Sequence, residues 1–374
     1  MKSERINYAD LKIAHELFPF VKVRLKRIRN IFLHKDTKYE RRILVVDTCL
    51  IGDFLSHLPA LSTYAKRNCI TFDILVSPPT KPLAEKIKGA RRVFVARSAY
   101  NRNTEQITPE QQSIPPGYDL IIVLRLSREA YDLIKKIKCN RIITSDMVLL
   151  KYLFHLAKNS LLKREIKQSR DTIFEALGIK AEDNKNEWYD IFDFNGSDYD
   201  YSNKFPEMGG KDKKILIHTG SGWKVKLWKT ENWAELLKLI NQSGKFRFIF
   251  IGGTEEEKTV FENVQKKLDF KVHSLINRVD LKELFLIMKK SDYFLGVDSG
   301  PRNLAHFANL RSVSLLNPAA VKNFMPLSVK DRVIEKPNRF PANLFDFHKM
   351  SNMEKISAEE VFKAFKKLSE TSGI

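Results

Sequence analysis

Asp298-Ser299-Gly300-Pro301-Arg302-Asn303-Leu304-Ala305-His306 follows directly on the apolar run Tyr293-Phe294-Leu295-Gly296-Val297. The pair reads as a buried strand that stops at a glycine turn and restarts as a helix, with Asp298 or Ser299 as its cap. Such a turn presents unpaired backbone N–H groups together with the positive end of a helix dipole, which suits a phosphate. An ordinary capped strand-to-helix turn would read the same way, so the neighbouring sequence has to decide.

Two more turns of this kind lie upstream. Lys213-Lys214-Ile215-Leu216-Ile217-His218 runs into Thr219-Gly220-Ser221-Gly222, and Lys224 to Trp233 then leads into a helix for which Thr230 is the expected N-cap. Lysine, hydroxyls and bare backbone make a pyrophosphate clamp, with Thr219, Gly220, Ser221 and Lys226 as its candidates. The third turn follows Phe246-Arg247-Phe248-Ile249-Phe250-Ile251 at Gly252-Gly253-Thr254-Glu255-Glu256. Three such turns along the carboxyl edge of one parallel sheet sit where open α/β sheets bind ligands.

The N-terminal half has its own strand, Arg42-Ile43-Leu44-Val45-Val46, and its own turn, Asp47-Thr48-Cys49-Leu50-Ile51-Gly52-Asp53, opening a helix near Phe54. Asp53 falls in or just before the first helical turn. There it reads either as a capping carboxylate or as a functional one. Continuous apolar runs at 71–76, 92–96, 118–124 and 141–144 read as further parallel strands buried on both faces. Residues 97–117, with Pro115-Pro116-Gly117, read as a long loop, and strands are also expected over 271–275, 292–297 and 312–316.

The order of these pieces resembles glycosyltransferase family 9, the bacterial heptosyltransferases. The matching residues are Ile51-Gly52-Asp53 with Leu58-Pro59-Ala60-Leu61, His218-Thr219-Gly220, Lys226-Leu227-Trp228 with Trp233, Gly252-Gly253 with Glu256, and Asp298-Ser299-Gly300-Pro301 with Leu304-Ala305. The resemblance runs from about Ile43 to about Pro318. It implies an α/β fold of two facing Rossmann-like domains with parallel sheets, the GT-B type. It also implies inverting transfer of a sugar, heptose from ADP-heptose, to a lipopolysaccharide core or related cell-surface glycan. In that scheme Asp53 is the catalytic base. Thr219, Gly220, Ser221, Lys226, Gly252, Gly253, Glu256, Asp298, Ser299, Gly300 and Asn303 bind the donor, Glu256 and Asp298 being candidates for ribose or sugar hydroxyls. An acceptor hydroxyl titrates far above neutrality, so transfer needs a base beside it and charge stabilisation on the leaving diphosphate. No tightly bound cofactor or metal is expected, since no Asp-X-Asp stands at a strand end. Two positions depart from the family: Asn303 stands where a histidine is usual, and Asn277 where a glycine is common. Asparagine tolerates the left-handed backbone that glycine would supply, whereas Asn303 bears on which donor is accepted. Another nucleotide sugar, or a non-catalytic nucleotide-sugar binder, is the alternative reading.

The chain has 374 residues, 43% of them hydrophobic, enough for two cores. We read residues 1–40 as a basic N-terminal segment, 41–181 as the acceptor domain and 182–212 as an acidic, Asn- and Gly-rich linker. Residues 213–355 form the nucleotide-sugar domain, and 356–374 a C-terminal helix, capped by Ser357 with Glu360, that returns to the first domain. Three cysteines without paired or metal-ligand spacing point to a reducing compartment. The net charge is +20, and residues 1–46 hold twelve Lys or Arg against five Asp or Glu. Val21, Leu25, Ile28 and Phe32 recur at helical spacing, with Lys22, Lys26 and Arg29 on other faces. This is a basic amphipathic helix for an anionic membrane surface or for docking on the first domain. No apolar run long enough to span a bilayer and no secretory signal is read, so a cytoplasmic protein held at the inner membrane is expected. Lys163, Arg164, Lys167 and Arg170 lie in a basic helical region that is either a solvated face or a phosphate contact with the acceptor. The charge alone suggests nucleic acid, but no recognition motif accompanies it. A nicotinamide dehydrogenase is disfavoured because the first turn lacks the three-glycine fingerprint.

Overall fold

The computed structural model describes residues 42–98, 107–125, 127–134, 136–144, 177, 191–194, 204–317, 330–336 and 352–370. The basic segment 1–40, the four acceptor candidates Lys163, Arg164, Lys167 and Arg170, and most of the linker lie outside them.

Two parallel sheets organise the chain. The first has strand order β3-β2-β1-β4-β5, formed by β1 (Ile43–Asp47), β2 (Phe72–Val76), β3 (Ala90–Val95), β4 (Tyr118–Arg125) and β5 (Cys139–Thr144). Helices α1 (Ile51–Asn68) and α2 (Arg128–Ile134) follow β1 and β4. Strands β1 and β2 are buried throughout, as their unbroken apolar sequences require of parallel strands. The core of this sheet gathers Leu44, Val46, Leu75, Ile121 and Val123 with Ala130 and Ile134 from α2.

The second sheet is formed by β6 (Lys213–His218), β7 (Phe246–Ile251), β8 (His273–Ser274), β9 (Tyr293–Val297), β10 (Arg311–Leu316) and β11 (Asp331–Glu335), in the order β11-β10-β9-β6-β7-β8. Its helices are α3 (Thr230–Ser243), α4 (Glu255–Gln265), α5 (Leu281–Lys289), α6 (Gly300–Phe307) and α7 (Ala358–Glu370). The strand order reverses between β6 and β9, which pair with His218 opposite Gly296. The loops that leave these neighbours diverge to opposite faces, opening a crevice at their carboxyl ends.

Two local expectations change. The strand expected at 271–275 is two residues long. Helix α3 begins at Thr230, so Lys229 holds the N-cap position, and no side chain caps the helix. Helix α7 has the expected reciprocal cap between Ser357 and Glu360, but its apolar face of Ala358, Val361, Phe365 and Leu368 belongs to the core of the second sheet. Phe365 meets Tyr293 at 5.1 Å and Phe246 at 5.6 Å, and Trp228 Nε1 donates to Ile356 O at 3.0 Å just before the helix. The apolar stripe of α7 is thus covered by the second sheet's own core.

By contacts the chain divides into residues 1–49, 60–81 and 89–183, and residues 50–59, 82–88 and 184–374. The second unit thus takes the opening turns of α1. It also takes a short strap around Ile87, which bridges antiparallel to Phe192.

Candidate functional site

The turn after β9 is built around a buried carboxylate. Asp298 Oδ2 lies 2.6 Å from Lys226 Nζ, and its Oδ1 lies 4.0 Å from Arg302 Nη1. Arg302, 1% exposed, also pairs with Asp331 at 2.7 Å, so α6 is tied to the edge strand β11 as well as to β9. Ser299 is the N-cap residue of α6, yet its side chain caps nothing. Its Oγ instead donates to Val297 O at 3.0 Å and lies 3.0 Å from His218 Nδ1. The opening of α6 therefore keeps its dipole end uncapped by its own serine, in the form that attracts an anion.

The loop after β6 comes to the same place. Thr219 is buried, and Ser221 Oγ donates to Asp298 O at 3.4 Å. A tight turn over Lys224–Lys226 carries the Lys226 ammonium to Asp298 and places it 4.8 Å from the centre of the exposed Trp223 ring. Gly220 has a specific steric reason: a Cβ there would fall 1.8 Å from Glu257 Oε1.

That carboxylate comes from the third turn. Thr254 and Glu257 form a reciprocal capping box at the start of α4, and Glu257 Oε2 accepts from the N–H groups of Gly253 at 2.7 Å and Thr254 at 2.9 Å. Its other oxygen, Oε1, is 2.8 Å from His218 Nε2. Burial pushes the Glu257 carboxyl up, but the bonds from His218, Gly253 and Thr254 outweigh it and hold the group below the usual carboxylate range. Glu256, the acid chosen from the sequence, is exposed on α4. The spacing Thr254-X-X-Glu257, a capping-box signature, was the available signal for Glu257.

The first turns of α1 belong to the same unit and reach the same turns. Asp53 is the third residue of α1, partly exposed. Asn303 Nδ2 donates to Gly52 O at 3.0 Å, while the buried Asn303 Oδ1 has no partner among the described residues. A Cβ on Gly300 would stand 2.9 Å from Ile51 Cγ2, so glycine there lets the N-termini of α1 and α6 approach closely. Of the sequence candidates, Thr219, Gly220, Ser221, Lys226, Asp298, Ser299 and Gly300 gather at the β6 and β9 ends. Asn303 links that group to the turn bearing Asp53, and Gly252 and Gly253 stand at the adjoining β7 end. At Asn277 the backbone is left-handed, with φ of 59°, as its place in a glycine position requires.

Among the described residues, no helix is long and apolar enough to cross a membrane. Known structures share the architecture. A glycosyl transferase family 9 structure from Veillonella parvula superposes with a TM-score of 0.72 at 18% identity, over 90% of this chain and 99% of that one. The E. coli heptosyltransferase WaaC with ADP-2-deoxy-2-fluoro heptose gives 0.59 at 17% identity, over 87% and 99% of the two chains. E. coli ADP-heptose lps heptosyltransferase II gives 0.61 at 15% identity, over 89% and 100%. The fold is thus of the GT-B type. A sequence comparison with curated proteins finds no match. The sequence profile of glycosyltransferase family 9 (heptosyltransferase), however, matches residues 129–356, more than half of the chain. With the crevice between β6 and β9 and the profile in agreement, the chain belongs to glycosyltransferase family 9 and is a glycosyltransferase.

Proposed function

We propose that the enzyme moves a sugar, with inversion, from a nucleotide diphosphate donor to a lipopolysaccharide core or related glycan acceptor at the cytoplasmic face of the inner membrane. ADP-heptose is the donor we favour, because heptosyltransferase structures with ADP-linked heptose share the fold. The observation that carries the reading is the pairing of an uncapped helix start at Ser299–Gly300 with a partly exposed carboxylate, Asp53, on a turn that Asn303 holds.

In this reading the diphosphate lies at the opening of α6, with the Lys226 ammonium neutralising the charge that grows as the glycosidic bond breaks. Asp53 takes the proton of the acceptor hydroxyl as its oxygen attacks the anomeric carbon from the face opposite the leaving diphosphate. Lys226 is already paired with Asp298, so its position is set before the donor arrives and little is lost in ordering it. Asn303 presents a carbonyl oxygen where the family usually has an imidazole. Unpartnered and buried, that oxygen accepts a hydrogen bond from a donor hydroxyl or amide, so it favours a donor that offers one there.

Thermal unfolding with a panel of sugar nucleotides identifies the donor, since a ligand of the native state alone raises the midpoint. Replacing Asp53 with Asn should lower transfer by about 10²- to 10⁴-fold while ADP still binds. Lys226→Ala should chiefly weaken ADP binding. Turnover at the wild-type rate in the Asp53 variant would sink the assignment.

A further inference from the structure

Ser299 is an ideal capping residue in the capping position, and it does not cap. The side chains around it explain why. Glu257, held ionised by its bonds, can only accept, so His218 Nε2 carries the proton between them, at 2.8 Å. The other ring nitrogen, Nδ1, lies 3.0 Å from Ser299 Oγ, so the hydroxyl is held between the imidazole and Val297 O. The ring is only 6% exposed and the carboxylate 8%, so neither is free to swing to water. Val297 O, also 3.0 Å from Ser299 Oγ, secures the same rotamer. The chain of contacts starts on α4, passes the end of β6 and finishes on the residue that opens α6.

We propose that Glu257 and His218 are positioning residues that hold the Ser299 side chain off its own helix, keeping the N-terminus of α6 open for the donor diphosphate. This rests on the donor site proposed above. In this relay Glu257 fixes the imidazole, and the imidazole fixes the serine. The glycine at 220 belongs to the same device, because any side chain there would evict the carboxylate. Without His218, Ser299 can turn and accept from an N–H of the first turn of α6, as N-cap serines ordinarily do. The helix would gain a cap and the diphosphate would lose a donor.

The test is a double-mutant cycle on ADP affinity, measured by calorimetry with wild type, His218→Ala, Ser299→Ala and the double variant. His218→Ala should weaken ADP about ten-fold when Ser299 is present, the scale of one lost capping interaction, and about two-fold or less when residue 299 is alanine, which cannot cap. Equal losses in both backgrounds would mean that His218 acts through general packing, and would overturn the inference. A second measurement needs no variant: nitrogen-15 spectra of the wild-type imidazole should show the proton on Nε2, and Glu257→Gln should move it to Nδ1. A bare Nε2 in the wild type overturns the relay even if ADP binds well. Should Nε2 be protonated and ADP bind at no concentration, the donor reading fails, and the relay loses its purpose with it.

Discussion

Glu257 shows how one side chain can fix the sequence around it. Its Oε1 sits 1.8 Å from where a Gly220 Cβ would be, so Gly220→Ala forces the carboxylate away from His218 and from two backbone N–H groups. We expect a loss of about 1–3 kcal/mol in urea unfolding, the usual range for overpacking. The loss should shrink when Glu257 is already alanine, because the two changes share one contact. A second prediction follows from charge. The folded-state carboxyl of Glu257 titrates below its ordinary 4.5. Its contribution to stability is therefore complete above that ordinary value and is lost as the pH falls through the folded one. The stability of the second unit should fall more steeply in the wild type than in Glu257→Gln between about pH 5 and about pH 3, followed by urea midpoints; parallel acid limbs would contradict the assignment. That Thr219, Lys226 and Asp298 come together was legible from sequence, because each follows an apolar run that reads as a parallel strand and the carboxyl ends of such strands share one edge. Which of Glu256 and Glu257 packs against His218 is not legible that way. It depends on which of two adjacent helical positions turns inward, and only the capping-box spacing from Thr254 distinguishes them.

At the scale of elements, the parallel strands were visible because both faces are covered and the apolar runs are unbroken, as in Ile43–Asp47 and Tyr293–Val297. Strand β8 was overestimated since Lys271-Val272-His273-Ser274-Leu275 has strand composition, but pairs with β7 at only two residues. Amphipathic spacing found α7 and its cap, yet a periodic apolar stripe says that a face will be covered and not by what. That face is covered by the second sheet's own core, so α7 carries part of the second unit's packing. Phe365, 1% exposed and in edge contact with both Tyr293 and Phe246, carries this packing. Truncating it to alanine should cost about 3–5 kcal/mol, the range for large aromatic deletions in a core. Chemical denaturation followed by tryptophan fluorescence measures it, since Trp228 and Trp233 lie in the same cluster at 4.9 Å. If α7 were instead a removable strap, the variant would leave the unfolding midpoint of the second unit unchanged.

At the scale of the whole molecule, the unevenly placed charge is the property that the two sheets do not account for. About a third of the +20 excess falls in the first 46 positions, which hold twelve basic residues against five acidic ones. A glycosyltransferase acting on a lipid-linked acceptor gains by staying near the surface that carries the acceptor, because confinement raises the effective concentration of the two. Each basic residue close to an anionic bilayer contributes about 1 kcal/mol, an attraction that fades beyond a Debye length and is weakened by salt. Val21, Leu25, Ile28 and Phe32 would add burial of apolar area on the same segment. We therefore expect the full chain to sediment with vesicles containing anionic lipid at low ionic strength and to be released as salt rises. Neutral vesicles should hold little of it at any salt. A chain lacking residues 1–40 should lose the binding while keeping its thermal response to the donor nucleotide, since the donor-site residues proposed above all lie after position 50. Equal sedimentation of the truncated and full chains would move the membrane contact elsewhere on the protein, to the basic stretch that includes Lys163 and Arg164. In that case charge reversal there, and not at the N-terminus, would abolish vesicle binding.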